Sequence, residues 1–209
     1  MVKRYTLAII FGLVTLTGLG LAPQGSGQDA EHQEERRDAA EAVIDTCTTA
    51  IDENPDDAAL YIERGIAYHK LQRYAEAFLD YHYTLRLEPD NVAAKYNRGN
   101  IYIEMGKYQS AVNDYTAVIK EEPDNADAYN NRGYAHDELG KFYEAVKDYT
   151  RAINLEPDNV SAYNNRGITY IKLERYEKAA QDFTKARELA PEDEMIGKRL
   201  AYVRAKLGK

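Results

Sequence analysis

The apolar and polar positions of this chain recur at helical spacing in pairs of short segments. In the stretch from Ala126 to Asn159, Tyr129, Gly133, His136 and Leu139 fall on one helical face. Ala145, Tyr149, Ala152 and Ile153 do the same in the second half. Gly140 separates the halves as a helix-ending residue. Pro157-Asp158-Asn159 closes the stretch with a turn, and Asn159 is placed to cap the next helix. This register sets Gly133 against Ala145, two small residues that let paired helices approach closely. The pattern predicts helices over 58–71, 74–87, 92–105, 108–121, 126–139, 142–155, 160–173, 176–189 and 192–207, and no strand.

The same pattern returns every 34 residues. Tyr129 to Gly133 reads YNNRG and recurs unchanged at Tyr163 to Gly167; looser copies end at Gly65 and Gly99. Ala77, Ala111, Ala145 and Ala179 keep the interval, as do Pro55, Pro89, Pro123, Pro157 and Pro191. Self-similarity at this period means stacked supersecondary units that share one continuous core. The reading divides the chain into 1–22 (export signal or anchor), 23–28 (flexible leader) and 29–57 (an opening helix and half repeat). Four units follow at 58–91, 92–125, 126–159 and 160–191, and 192–209 is a closing helix. The opening helix lacks the Tyr and Gly landmarks, as terminal solenoid units commonly do.

With these landmarks in place, the sequence resembles the tetratricopeptide-repeat (TPR) family over residues 58 to 191. The signature is an aromatic, Gly, Tyr, Ala, aromatic, Ala and Pro at set places. Thr84 and Val118 replace the usual late alanine, and His136 replaces a tyrosine. Arg before the Gly, with Asp-Tyr in the second helix, resembles a recognisable subclass, here of exported bacterial type. The resemblance implies an all-α, right-handed α-solenoid in which the first helix of each unit lines a concave groove.

Composition narrows the function. The formal net charge is −8, and −10 without Lys3 and Arg4, so the chain repels phosphate backbones and nucleic acid is not the expected partner. Lys3-Arg4 followed by the uncharged Thr6–Ala22 run reads as export chemistry. A soluble periplasmic or secreted product is expected, or an inner-membrane anchor if the run is retained. The single cysteine, Cys47, makes no internal disulfide. It falls where Tyr81, Tyr115, Tyr149 and Phe183 fall in later units, which points to a buried packing thiol. No HExxH, GxSxG, Walker loop or dinucleotide fingerprint occurs, so no enzyme, metal or cofactor is expected.

Two rows of side chains repeat with the units. Arg64, Arg98, Arg132 and Arg166 each have an aspartate sixteen residues on, at Asp80, Asp114, Asp148 and Asp182. The expectation is a structural ion pair between the two helices of a unit. Two residues before each glycine stand Glu63, Asn97, Asn131 and Asn165. The three asparagines resemble the ladder of the TPR superhelix in O-linked N-acetylglucosamine transferase, where asparagines hold the backbone of an extended peptide. An amide offers a donor and an acceptor, which match a peptide unit. Asn100, Tyr96, Asn130, Asn164 and Tyr134 join them as peptide-binding candidates. The carboxylate clamp for Hsp70/Hsp90 tails is not expected, because Tyr96, Ser161 and Asn165 stand where its basic residues belong. The expected function is an envelope adaptor or scaffold that holds a peptide of a partner protein. The alternative is an assembly subunit that associates weakly with itself or a complex through its convex face or ends.

Overall fold

The computed structural model describes residues 27–208. The export segment expected over 1–22 and most of the leader lie outside the described residues. Among the described residues there are ten helices and no strand: α1 (Gly27–Glu53), α2 (Ala58–Lys70), α3 (Tyr74–Leu87), α4 (Val92–Glu104), α5 (Tyr108–Glu121), α6 (Ala126–Glu138), α7 (Phe142–Leu155), α8 (Val160–Lys172), α9 (Tyr176–Leu189) and α10 (Glu194–Lys206). None of them is long and apolar enough to cross a membrane. The chain divides into two compact units at Arg36/Arg37. In the first, residues 32–36 are exposed helix, with His32 Nδ1 3.4 Å from Glu35. The second unit is an α-solenoid of helix pairs.

Local chemistry sets where each first helix begins. Asp57, Asn91, Asn125, Asn159 and Asp193 occupy the cap position with extended backbone. Each side-chain oxygen accepts a backbone N–H two or three residues on, at 2.8–3.0 Å. The asparagine caps are themselves held, since Asn91, Asn125 and Asn159 donate to Glu88, Glu122 and Glu156. The closing helix therefore begins after Asp193, two residues later than the periodicity alone suggests, because an aspartate satisfies the free N–H groups there.

The turn inside each unit needs one left-handed residue. Gly106 and Gly140 supply it at φ 67° and 73°, whereas Gln72 and Glu174 stand in the same register at φ 59° and 57°. A side chain in that region costs about 1 kcal/mol or more, which glycine avoids. Glu174→Gly is expected to stabilise the protein by up to about 1 kcal/mol. Thermal melting checks this: an unchanged or lower Tm would mean the turn carries no strain.

From α2 to α10 each helix packs on its sequence neighbours, and α2, α4, α6 and α8 also touch one another in order along one side. The core is a row of fully buried rings: Tyr81, Tyr115, Tyr149 and Phe183. Gly133 faces an aromatic ring and not the small residue expected. A Cβ at Gly133 would meet the Tyr149 ring at 2.9 Å, and Gly65, Gly99 and Gly167 face Tyr81, Tyr115 and Phe183 in the same way at 2.7–2.8 Å. The glycine is a flat seat for an aromatic ring. Ala145 is buried, but it is not the residue the glycine accommodates.

Candidate functional site

The arginine row ties the first helix of each unit to the second. In every unit the guanidinium grips the aspartate side-on. Arg132 donates from Nε and Nη2 to the two oxygens of Asp148, both at 2.7 Å. Arg64–Asp80, Arg98–Asp114 and Arg166–Asp182 repeat this at 2.7–2.9 Å. The aspartates are buried and the arginine side chains are only 16–19% exposed. The remaining Nη1 reaches the preceding unit: Arg64 to Thr48, Arg132 to Thr116 and Arg166 to Thr150, at 2.9–3.1 Å. That third contact was not foreseen, although Thr48, Thr116 and Thr150 keep a common register. His82 stands at the corresponding place before Arg98.

His136, in the family's tyrosine position, lies against the same pair, with Nε2 3.9 Å from Asp148. Burial holds its imidazole below the usual range, against the pull of Asp148. Cys47 is buried, and burial pushes its thiol up, away from the reactive thiolate. No group of three His, Cys, Asp or Glu side chains among the described residues is arranged to hold a metal.

The groove candidates lie on α4, α6 and α8, half-buried, and they bond to one another across units. Asn131 donates from Nδ2 to Tyr96 Oη at 3.1 Å and to Asn100 Oδ1 at 3.2 Å. Asn165 donates to Asn130 Oδ1 at 3.3 Å. Arg199 of α10 takes the next place in the row and donates to Asn164 Oδ1 at 2.7 Å. The rule is periodic: the ladder residue of one unit reaches the residue just before the ladder position of the previous unit. Ile62 cannot accept such a bond, so Asn97 has no side-chain hydrogen bond among the described residues. Within units, Asn130 and Asn164 donate to Asn131 and Asn165 at 3.2 and 3.5 Å. Tyr115 Oη donates to Asn100 at 2.6 Å.

Both amide hydrogens of Asn131 are thus committed inside the protein, whereas Asn97 keeps its full donor and acceptor set. Asn165 keeps one amide hydrogen. Burial, then the nearby Glu138 carboxylate, pushes the Tyr134 phenol up to about 12. Asp137, on the same helix as Asn131, is buried. It pairs with Lys172 of the next unit and accepts from Thr169 Oγ1 at 2.7 Å. Sequence gave no sign of this, because its partners lie 32 and 35 residues away.

This geometry agrees with the comparisons. Models of the tetratricopeptide repeat match residues 26–92, 126–159 and 160–193, and a TPR-repeat model matches 99–140. The chain belongs to the tetratricopeptide-repeat family. Among solved structures, MamA from Desulfovibrio magneticus RS-1 is similar at a TM-score of 0.71 and 23% identity, over 79% of this chain and 94% of that one. The Arabidopsis OM64 TPR domain is 34% identical, with a TM-score of 0.53, over 55% of this chain and 94% of that one. The first TPR of Spaghetti (RPAP3), bound to an HSP90 peptide, is 29% identical at a TM-score of 0.55, over 56% and 94%. No curated protein matches the sequence. The first helices α2, α4, α6 and α8 stand side by side.

Proposed function

We propose that this TPR protein is an interaction scaffold of the cell envelope whose concave face holds an extended segment of a partner protein. The observation that carries the reading is the 34-residue row of amides on touching first helices, anchored from behind by the arginine pairs. Asn97 and Asn165 have free capacity for a peptide unit, and Asn131 holds its neighbours in place. A TPR neighbour that binds a peptide supports the mode of binding. The reading keeps the expectation that this chain forms no carboxylate clamp, since Tyr96, Ser161 and Asn165 carry no positive charge.

With Asp137 neutralised by Lys172, Glu63, Glu104, Asp127 and Glu138 outnumber Lys70 and Arg199, and the groove stays acidic. Neutral or basic segments are favoured, most strongly at low salt. The test is a panel of unstructured neutral, basic and acidic peptides, titrated against wild type and Asn97→Ala/Asn165→Ala. Two lost hydrogen bonds at about 1 kcal/mol each predict roughly thirtyfold weaker binding, independent of peptide sequence. Equal binding by the variant, or a preference for acidic peptides, would overturn the groove reading.

The envelope location rests on Lys3-Arg4 and the run Thr6–Ala22. Mass spectrometry of the protein from its native cells is expected to find a chain lacking roughly the first 22–30 residues. An intact Met1 or Val2 start in a soluble cytoplasmic fraction would remove the envelope from the proposal.

A further inference from the structure

The two ends of the array are halves of one unit. The second half of α1 is a second helix without its first. Thr48 accepts from Arg64 as Thr116 and Thr150 accept from Arg132 and Arg166, which fixes its register. Ala40 and Ile44 pack on Ala67 of α2. At the other end, α10 is a first helix without its second. Asp193 caps it as Asp57 caps α2, and Leu200 and Val203 pack on Ala179 and Phe183 of α9.

Among the described residues, nothing fills the seat of the missing first helix. A groove of about 230 Å³ runs between α1 and α2, lined by Ala42, Val43, Thr46, Cys47, Ala50 and Leu60, with Glu63 at its edge. Four of these, Val43, Thr46, Cys47 and Ala50, stand where Ala77, Asp80, Tyr81 and Thr84 are buried in α3. A complete unit fills the equivalent space with a helix that touches both neighbours, as α2 touches α3 and α4.

We infer that α10 of a second copy occupies this seat, so that copies join head to tail and complete a unit between them. The complementary residues sit on the two ends. Inside the array, glycine faces an aromatic ring with no room for a Cβ. At the ends the glycine position holds Ala201 and the aromatic position holds Cys47, a larger residue facing a smaller one. The ion pair is exchanged in the same way. Leu200 replaces the arginine and Thr46 the aspartate, so neither of these two positions carries a charge that docking would leave unpaired. Ala201 and Thr46 are both exposed, as an unmade interface requires.

The helices are also oppositely charged. Residues 37–53 of α1 carry five carboxylates against Arg37, while α10 carries four cations against Glu194. This attraction speeds encounter and disfavours pairing of like ends. Because the contact joins different surfaces, it does not close on itself in a dimer. Repeated, it continues the solenoid as an open filament.

Sedimentation velocity on the full chain tests the inference through reciprocal blocks. Wild type is expected to show a sedimentation coefficient that rises with concentration and falls with added salt. Ala201→Trp blocks only the α10 face and Thr46→Lys only the α1 face. Each variant alone is expected to remain monomeric with an unchanged melting temperature. An equimolar mixture is expected to form dimers and nothing larger, since one intact face of each kind remains. A wild type that stays monomeric at millimolar concentration overturns the proposal. So does association of either variant alone at wild-type strength, which would place the contact elsewhere. A mixture that stays monomeric while wild type assembles also overturns it.

Discussion

Arg132→Leu is expected to lower the stability of the array by roughly 3–5 kcal/mol, the characteristic cost of leaving one buried charge without its partner. Asp148 accepts both guanidinium hydrogen bonds at 2.7 Å and has a side chain only 6% exposed, so water does not replace the lost donors. The bond from Arg132 to Thr116 is lost as well, which loosens α5 from α6 and α7. Asp148→Asn should act in the same direction by removing the charge that the guanidinium needs. Removing both charges together, as in Arg132→Leu/Asp148→Leu, should recover much of the loss, because a well-packed apolar pair avoids the desolvation cost. The end helices of the chain carry no charge at these two register positions, where Leu200 and Thr46 stand. Urea unfolding measures the total. Hydrogen exchange should place the damage in α5 to α8 and spare α2 and α3, since units contact only their neighbours. Unchanged unfolding of Arg132→Leu together with lost peptide binding would make the arginine row a ligand site.

Gly133→Val is expected to cost about 2–3 kcal/mol, at the upper end of overpacking in a close-packed core. The new Cβ would stand 2.9 Å from Cε1 and 3.0 Å from Cδ1 of Tyr149, a ring that is 1% exposed and has nowhere to retreat. Alanine should cost less, because its helix propensity returns about 1 kcal/mol over glycine. The decisive measurement is a double-mutant cycle with Tyr149→Leu. If the glycine serves the ring, Gly133→Val should be much less harmful once the ring is gone, giving an interaction energy of at least about 1 kcal/mol. Additive effects would show that the glycine answers to the backbone instead. In the proposed contact between two copies, Ala201 and Cys47 hold the glycine and ring positions.

The sequence by itself determined the helices, their pairing and their count per unit. These depend on interactions within a few residues: the 3.6-residue spacing around Tyr149, the caps at Asn91, Asn125 and Asn159, and the turn at Gly140. Each is repeated every 34 residues, so each is read several times over. The sixteen-residue Arg–Asp interval was also visible, since it spans one turn between two helices of known length.

The tertiary structure decided what those helices do to one another. Which residue Gly133 accommodates depends on the crossing of α6 and α7, and that places the Tyr149 ring, not Ala145, over the glycine. The sharing of Asn131 with Tyr96 and Asn100, and of Asp137 with Lys172, depends on how far one unit turns relative to the next. Helical periodicity fixes a side chain's direction on its own helix. It carries no information on the neighbouring helix's rotation, which the packing of rings, amides and ion pairs sets together.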